Sequence, residues 1–96
     1  MALLAGLTHA QSTDAPPPAG STVAEGRRVY VRSCEVCHGP AGAGALGPAL
    51  KRVGQRLSAQ QLEEQIKNPK GSMPRLYPAA VSAEDVDRLV AYLHQL

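Results

Sequence analysis

The clearest pattern in the chain lies at its end. Val86, Leu89, Val90 and Leu93 fall at i, i+3, i+4 and i+7, one apolar stripe on an amphipathic helix. Hydroxyl residues stand three positions before an acid or amide at Thr22–Glu25, Ser58–Gln61 and Ser82–Asp85, the spacing of a helix-opening capping box. Hydrophobic pairs straddle the second and third of these, Leu57 with Leu62 and Val81 with Val86. The spacing predicts helices from Thr22 to Cys34, from Ser58 to Lys67 and from Ser82 to the C-terminus. The second must end at Lys67, because Pro69 disfavours helical geometry at Asn68. No stretch alternates apolar and polar residues long enough to argue for a strand, so the class is all-α.

Between these helices run two loops, 39–54 and 68–80, rich in Gly, Ala and Pro. Neither has the apolar content to fix its own shape. The first twenty residues differ again. Residues 1–10 are small and mostly apolar, with Thr8 and Ala10 at the −3 and −1 places of an export-signal cleavage site, although no basic residues precede them. Residues 12–20 read as a Pro-rich linker. The expectation is therefore a signal-like segment and linker over 1–20 and one folded domain over 21–96.

Composition sharpens the problem that the loops pose. The chain has 96 residues and is 44% hydrophobic, yet it holds no Trp, no Phe and only 3 Tyr. Large aromatics dominate the energetics of small cores, so something outside the sequence is expected to complete this one. Ten basic and eight acidic residues, net +2, exclude a dedicated nucleic-acid binder. Two cysteines exclude a disulfide-rich scaffold, and no apolar run approaches a membrane span.

The chemistry sits in Cys34-Glu35-Val36-Cys37-His38, a C-x-x-C-H pentapeptide and the attachment signature of c-type haem. Cysteines three apart at a helix end share one face, so both sulfurs reach the two vinyl-derived carbons of one porphyrin. The adjacent His then presents its imidazole to the iron. A bare C-x-x-C also fits a thioredoxin-like dithiol, which needs a βαβ context, and half of a zinc site, which needs further ligands. Only His9 and His94 remain as nitrogen donors of that kind, both near the chain ends.

From Gly26 onward the chain resembles the small monohaem class I cytochromes c of the bacterial, periplasmic type. The resemblance rests on Gly26, Tyr30, the 34–38 pentapeptide, Gly47-Pro48-Ala49-Leu50, Met73-Pro74 and Leu89-Val90-Ala91-Tyr92-Leu93, in that family's order and spacing. It implies three main helices wrapped around one covalent haem c, held by Cys34 and Cys37. It also implies that the N- and C-terminal helices cross at a Gly and aromatic contact, with Gly26, Tyr30 and Tyr92 at those positions. His38 is the implied axial ligand, and the Pro48 carbonyl supports its back nitrogen. Pro48, Leu50, Tyr30, Arg52 and Arg56 are the expected pocket supports. Arg52, Arg56 or Gln55 would meet a propionate by position alone.

For the sixth iron position the donors are Met73, Met1, His94 and the lysines. Met1 lies in the signal-like segment. The family places its Met ligand just before a Pro, as Met73 stands before Pro74, and the resemblance therefore implies His38/Met73 ligation. His94 is expected to be a surface or C-capping residue.

Residues 42–47 also spell G-x-G-x-x-G, but no strand precedes them and no helix opens from them, so dinucleotide binding is not expected. Their glycines would let the backbone pass close to the haem edge. The resemblance implies one-electron transfer by a soluble carrier or a haem subunit of an oxidoreductase, not an enzyme in itself. Its partners would be a dehydrogenase, an oxidase or another cytochrome, met as a monomer or within a hetero-complex in the periplasm. A haem enzyme or gas-binding protein with a labile sixth ligand is the alternative. Lys51, Lys67, Lys70 and Arg75 fall in or beside the two loops and are expected to frame a docking surface.

Overall fold

The computed structural model describes residues 23–96. The signal-like segment, the Pro-rich linker and the Thr22 cap lie outside the described residues. Within them the chain is helical, with no strand. Helix α1 spans Val23–Ser33, and a one-turn helix α2, Glu35–His38, follows. After a 3-10 turn at Pro40–Gly42 come α3 (Val53–Arg56), α4 (Ala59–Lys67) and α5 (Ala83–His94).

The two local start signals that lie wholly in this region act as their spacing predicts. Ser58 accepts from the Gln61 amide at 3.1 Å while the Gln61 side chain accepts from the Ser58 amide at 2.8 Å. Ser82 and Asp85 make the same reciprocal pair at 3.1 and 3.2 Å. Each pair satisfies two backbone donors that a helix start otherwise leaves unpaired. The α4 helix ends at Lys67, and Asn68 leaves helical geometry at φ −134°, ψ 72° as the following Pro69 requires.

Helices α1 and α5 cross face to face, and the crossing needs a glycine. A Cβ on Gly26 would stand 1.9 Å from the Arg88 carbonyl oxygen and 2.8 Å from Cβ of Tyr92. The contact is thus backbone against backbone, one turn from the tilted Tyr30 and Tyr92 rings, whose centroids are 5.2 Å apart at 46°. Around it lie Val29, Leu62, Ile66, Val81, Val86, Leu89 and Leu93, all buried.

The buried arc of α5 differs from the stripe that the sequence predicts. Tyr92 is buried and Val90 only half-buried. The arc widens because α5 is covered by α1 on one side and α4 on the other. The first helix also stops one residue earlier than its expected end. Cys34 sits at φ −122°, ψ −31°, a distortion that separates α1 from α2.

Among the described residues Asp85 is the buried charged side chain. Its carboxylate accepts from Arg32 of α1 at 3.0 Å and from Arg88 at 2.9 Å, besides capping α5. Burial pushes its pKa up, but the hydrogen bonds from Ser82 and Arg88 and the Arg32 charge outweigh this and hold it below the usual carboxylate value.

Candidate functional site

The pentapeptide keeps helical connectivity across the break. The amides of Cys37 and His38 both donate to the Cys34 carbonyl, at 3.2 and 3.0 Å. Both thiols therefore sit within one turn and line the same cleft. They form no disulfide. Burial pushes the Cys34 thiol up to about 11, against the lowering influence of Arg32.

The loop after α2 folds back on it. Gly39, at φ +81°, turns the chain in a conformation that favours glycine. The amide of Gly44 then donates to the His38 carbonyl and that of Gly47 to the Cys37 carbonyl, each at 2.6 Å. The G-x-G-x-x-G stretch is spent on wrapping the pentapeptide and opens no helix. Tyr30 fixes the same loop from below: its hydroxyl donates to the Gly39 carbonyl at 2.5 Å and accepts from the Gly42 amide at 3.0 Å. Desolvation in this position raises the Tyr30 pKa.

This wrapping delivers Pro48 to His38. The Pro48 carbonyl lies 2.8 Å from Nδ1 of His38. A carbonyl only accepts, so Nδ1 carries a proton, and in the neutral ring the lone pair is then on Nε2. The imidazole is thereby set up as a ligand through Nε2.

Cys34, Cys37, His38 and Met73 line one cleft of about 670 Å³, together with Tyr30, Pro48, Leu50 and Arg56. Helix α4 lines it through Leu62, Gln65 and Ile66. The volume falls in the range of cofactor sites, and the lining is largely apolar. These residues fit haem c: two unpaired thiols within one turn, an adjacent imidazole held at Nδ1 by the Pro48 carbonyl, and a thioether from the loop after α4. Among the described residues no cluster of three or more His, Cys, Asp or Glu gathers, so the zinc alternative finds no ligand set there.

Not every expected residue joins the cleft. Arg56 lines it, whereas Arg52 does not: it is exposed and takes a left-handed turn at φ 59° to open α3. Gln55 is exposed and likewise off the lining. His94 stands exposed on the last turn of α5, away from the cleft. Two of the bases expected to frame a docking surface are engaged internally. Lys67 pairs with Glu63 at 2.7 Å, which raises its pKa, and lies 5.4 Å from the Tyr77 ring centre. Arg75 donates to the Lys67 carbonyl at 3.1 Å and to Asn68 at 3.3 Å.

Sequence reasoning missed Gln65. Its Nε2 stands 3.6 Å from Sδ of Met73. The signal was its place at i+3 from Leu62 and beside Ile66, a polar residue in an apolar stripe.

Comparison with known proteins agrees with this architecture. The profile of the family described as cytochrome C oxidase, cbb3-type, subunit III matches residues 21–93. The chain is 37% identical over 65 residues to cytochrome c-551 of Bacillus subtilis (strain 168), an alignment covering 68% of this chain and 58% of that protein. The crystal structure of the c-type cytochrome XoxG from Methylobacterium extorquens AM1 superposes with a TM-score of 0.65 at 34% identity, covering 75% of this chain and 48% of that one. The chain thus spans about half to three-fifths of the length of these relatives. It belongs to the family described as cytochrome C oxidase, cbb3-type, subunit III, and is a small class I cytochrome c of all-α fold.

Proposed function

We propose that this protein carries single electrons on one haem c, attached by thioether bonds at Cys34 and Cys37 and ligated axially by His38 and Met73. The observation that carries the reading is that these four side chains line one cleft. When bound, the haem supplies an iron that takes up and returns one electron, and a thioether–imidazole pair favours its ferrous form over two imidazoles.

The protein's residues hold that chemistry steady. Pro48 locks the His38 tautomer, and Tyr30 pins the loop that delivers Pro48. Leu50, Val53, Leu62, Ile66 and Leu93 line the cleft with apolar surface and exclude water. Arg56, which lines the cleft, would meet a propionate. With His38 and Met73 both holding the iron, no open position would remain for a substrate, and the protein would act as a carrier or a haem subunit rather than an enzyme.

Its partners would be redox proteins: a dehydrogenase, an oxidase or another cytochrome. Among the described residues no helix is long and apolar enough to cross a membrane. The signal-like start of the sequence supports export to the periplasm.

The test is spectroscopic. Acid–acetone treatment should leave the colour with the protein, and a Cys34→Ala, Cys37→Ala double variant should release it. The oxidised protein should show a weak charge-transfer band at the red end of the visible spectrum, lost in Met73→Ala. That variant should bind carbon monoxide readily while wild type does so poorly. Wild type binding carbon monoxide as readily as the variant would establish a ligand-binding or catalytic haem instead.

A further inference from the structure

Helix α4 presents Leu62 and Ile66 to the cleft, and between them on the same face stands the half-buried amide of Gln65. An amide in an apolar wall is costly unless its donors find an acceptor. Here the acceptor is a thioether, with Gln65 Nε2 reaching from the helix to Met73 Sδ at 3.6 Å. The loop that carries Met73 has no regular structure between 68 and 76. Its base is tied to the last turn of α4 by Arg75, which donates to Lys67 O and Asn68 Oδ1, and by Asn68, which donates to Glu64 Oε2 at 3.1 Å. Of these contacts only that of Gln65 reaches the sulfur.

We infer that Gln65 is the positioning residue of the Met73 thioether, holding the sulfur at the cleft and drawing electron density from it through its N–H. The inference rests on Met73 as the axial ligand. A thioether sulfur has two lone pairs, so one is free to ligate while the other accepts from the amide. A sulfur that shares density with a donor is a weaker base toward ferric iron, which needs that density more than ferrous iron does. Gln65 therefore raises the reduction potential. By restraining the sulfur it also slows displacement by an external ligand.

The test compares haem-loaded wild type, Gln65→Leu, Met73→Ala and the double variant. Gln65→Leu should lower the midpoint potential, retain the red-end band and bind carbon monoxide about 2–10-fold faster, the span one hydrogen bond is worth. In the Met73→Ala background the same substitution should change neither quantity. Gln65→Asn keeps the amide but is a methylene too short, and it should behave as Gln65→Leu does. An unchanged potential and carbon monoxide rate in Gln65→Leu would overturn the inference. So would equal shifts in both backgrounds, or an Asn variant indistinguishable from wild type, since each marks general polarity rather than a contact. Failure of the underlying ligation reading looks different: the band would be absent from wild type, or unaltered by Met73→Ala.

Discussion

The carbonyl oxygen of Pro48 accepts from Nδ1 of His38 across 2.8 Å, and this one bond decides which imidazole nitrogen faces the cleft. The acceptor is a backbone atom, so no side-chain change removes it directly. Pro48→Ala retains the carbonyl but frees φ in the unfolded chain and slackens the loop. Its expected cost is about 0.4–1 kcal/mol, the usual worth of a compatible proline. Thermal unfolding of the holoprotein should fall by a few degrees, and the His38 ring protons should broaden in NMR spectra.

At the α1–α5 crossing the magnitudes favour glycine. Replacing glycine by alanine inside a helix normally gains about 0.5–1 kcal/mol. At Gly26 the new methyl would meet the Arg88 carbonyl oxygen at 1.9 Å, and backbone on both sides leaves only separation of the helices. Overpacking of this kind costs about 1–3 kcal/mol, and here the Tyr30–Tyr92 contact is lost with it. Gly26→Ala is thus expected to destabilise the holoprotein in denaturant titration. A neutral or stabilising result would mean that the crossing is looser than its geometry.

What the sequence discloses divides along one physical line. The Ser58 and Ser82 caps, the stop at Lys67 and the pentapeptide are set by residues within five positions of one another, and all are legible. Helix α3 is not, because Arg52 opens it without a side-chain cap and its Gly54 is seated against the His94 carbonyl, a contact spanning forty positions. The same holds at the site. Cys34, Cys37, His38 and Pro48 follow from spacing and resemblance, and Met73 follows from resemblance and elimination among donors. Gln65, and the engagement of Lys67 and Arg75, depend on how α4 meets the loop that follows it. Arg52 and Arg56 are equivalent in sequence, and only the turn at Arg52 separates them.

Asp85 makes stability fall in acid. Its pKa in the folded state lies below the unfolded value of about 3.9. A depressed carboxylate contributes stability that is full above the unfolded value and is lost as pH falls through the folded one. The holoprotein should therefore weaken below about pH 4. Asp85→Asn keeps the cap but leaves Arg32 and Arg88 without their counter-charge, at a cost of about 1–3 kcal/mol near neutrality. The lower end applies because Arg32 is 56% exposed and turns into water. Chemical denaturation at pH 7 and pH 3 reads both effects: the gap between wild type and variant should close in acid. A gap independent of pH would assign the loss to packing.

Charge steering at the cleft mouth is the last expectation, and the internal bonds of the bases narrow it. Lys70 lines the cleft, and Lys51 is exposed beside the lining residue Leu50. Neither forms an ion pair among the described residues. The charge of Lys67 is already offset by Glu63, and Arg75 serves the Met73 loop. Redox encounters are small and brief, so unpaired charge acts mainly on the association rate. With a small acidic partner such as a flavodoxin, the bimolecular rate should fall as salt screens the field over ~8–10 Å. Lys51→Glu and Lys70→Glu should each flatten that salt dependence, whereas Lys67→Gln should alter it far less. Arg75→Gln should act differently again: it releases the loop base, so it should speed carbon monoxide entry more than it changes the salt slope. Equal flattening by all four substitutions would mean that net charge, not its placement at the cleft mouth, governs the encounter.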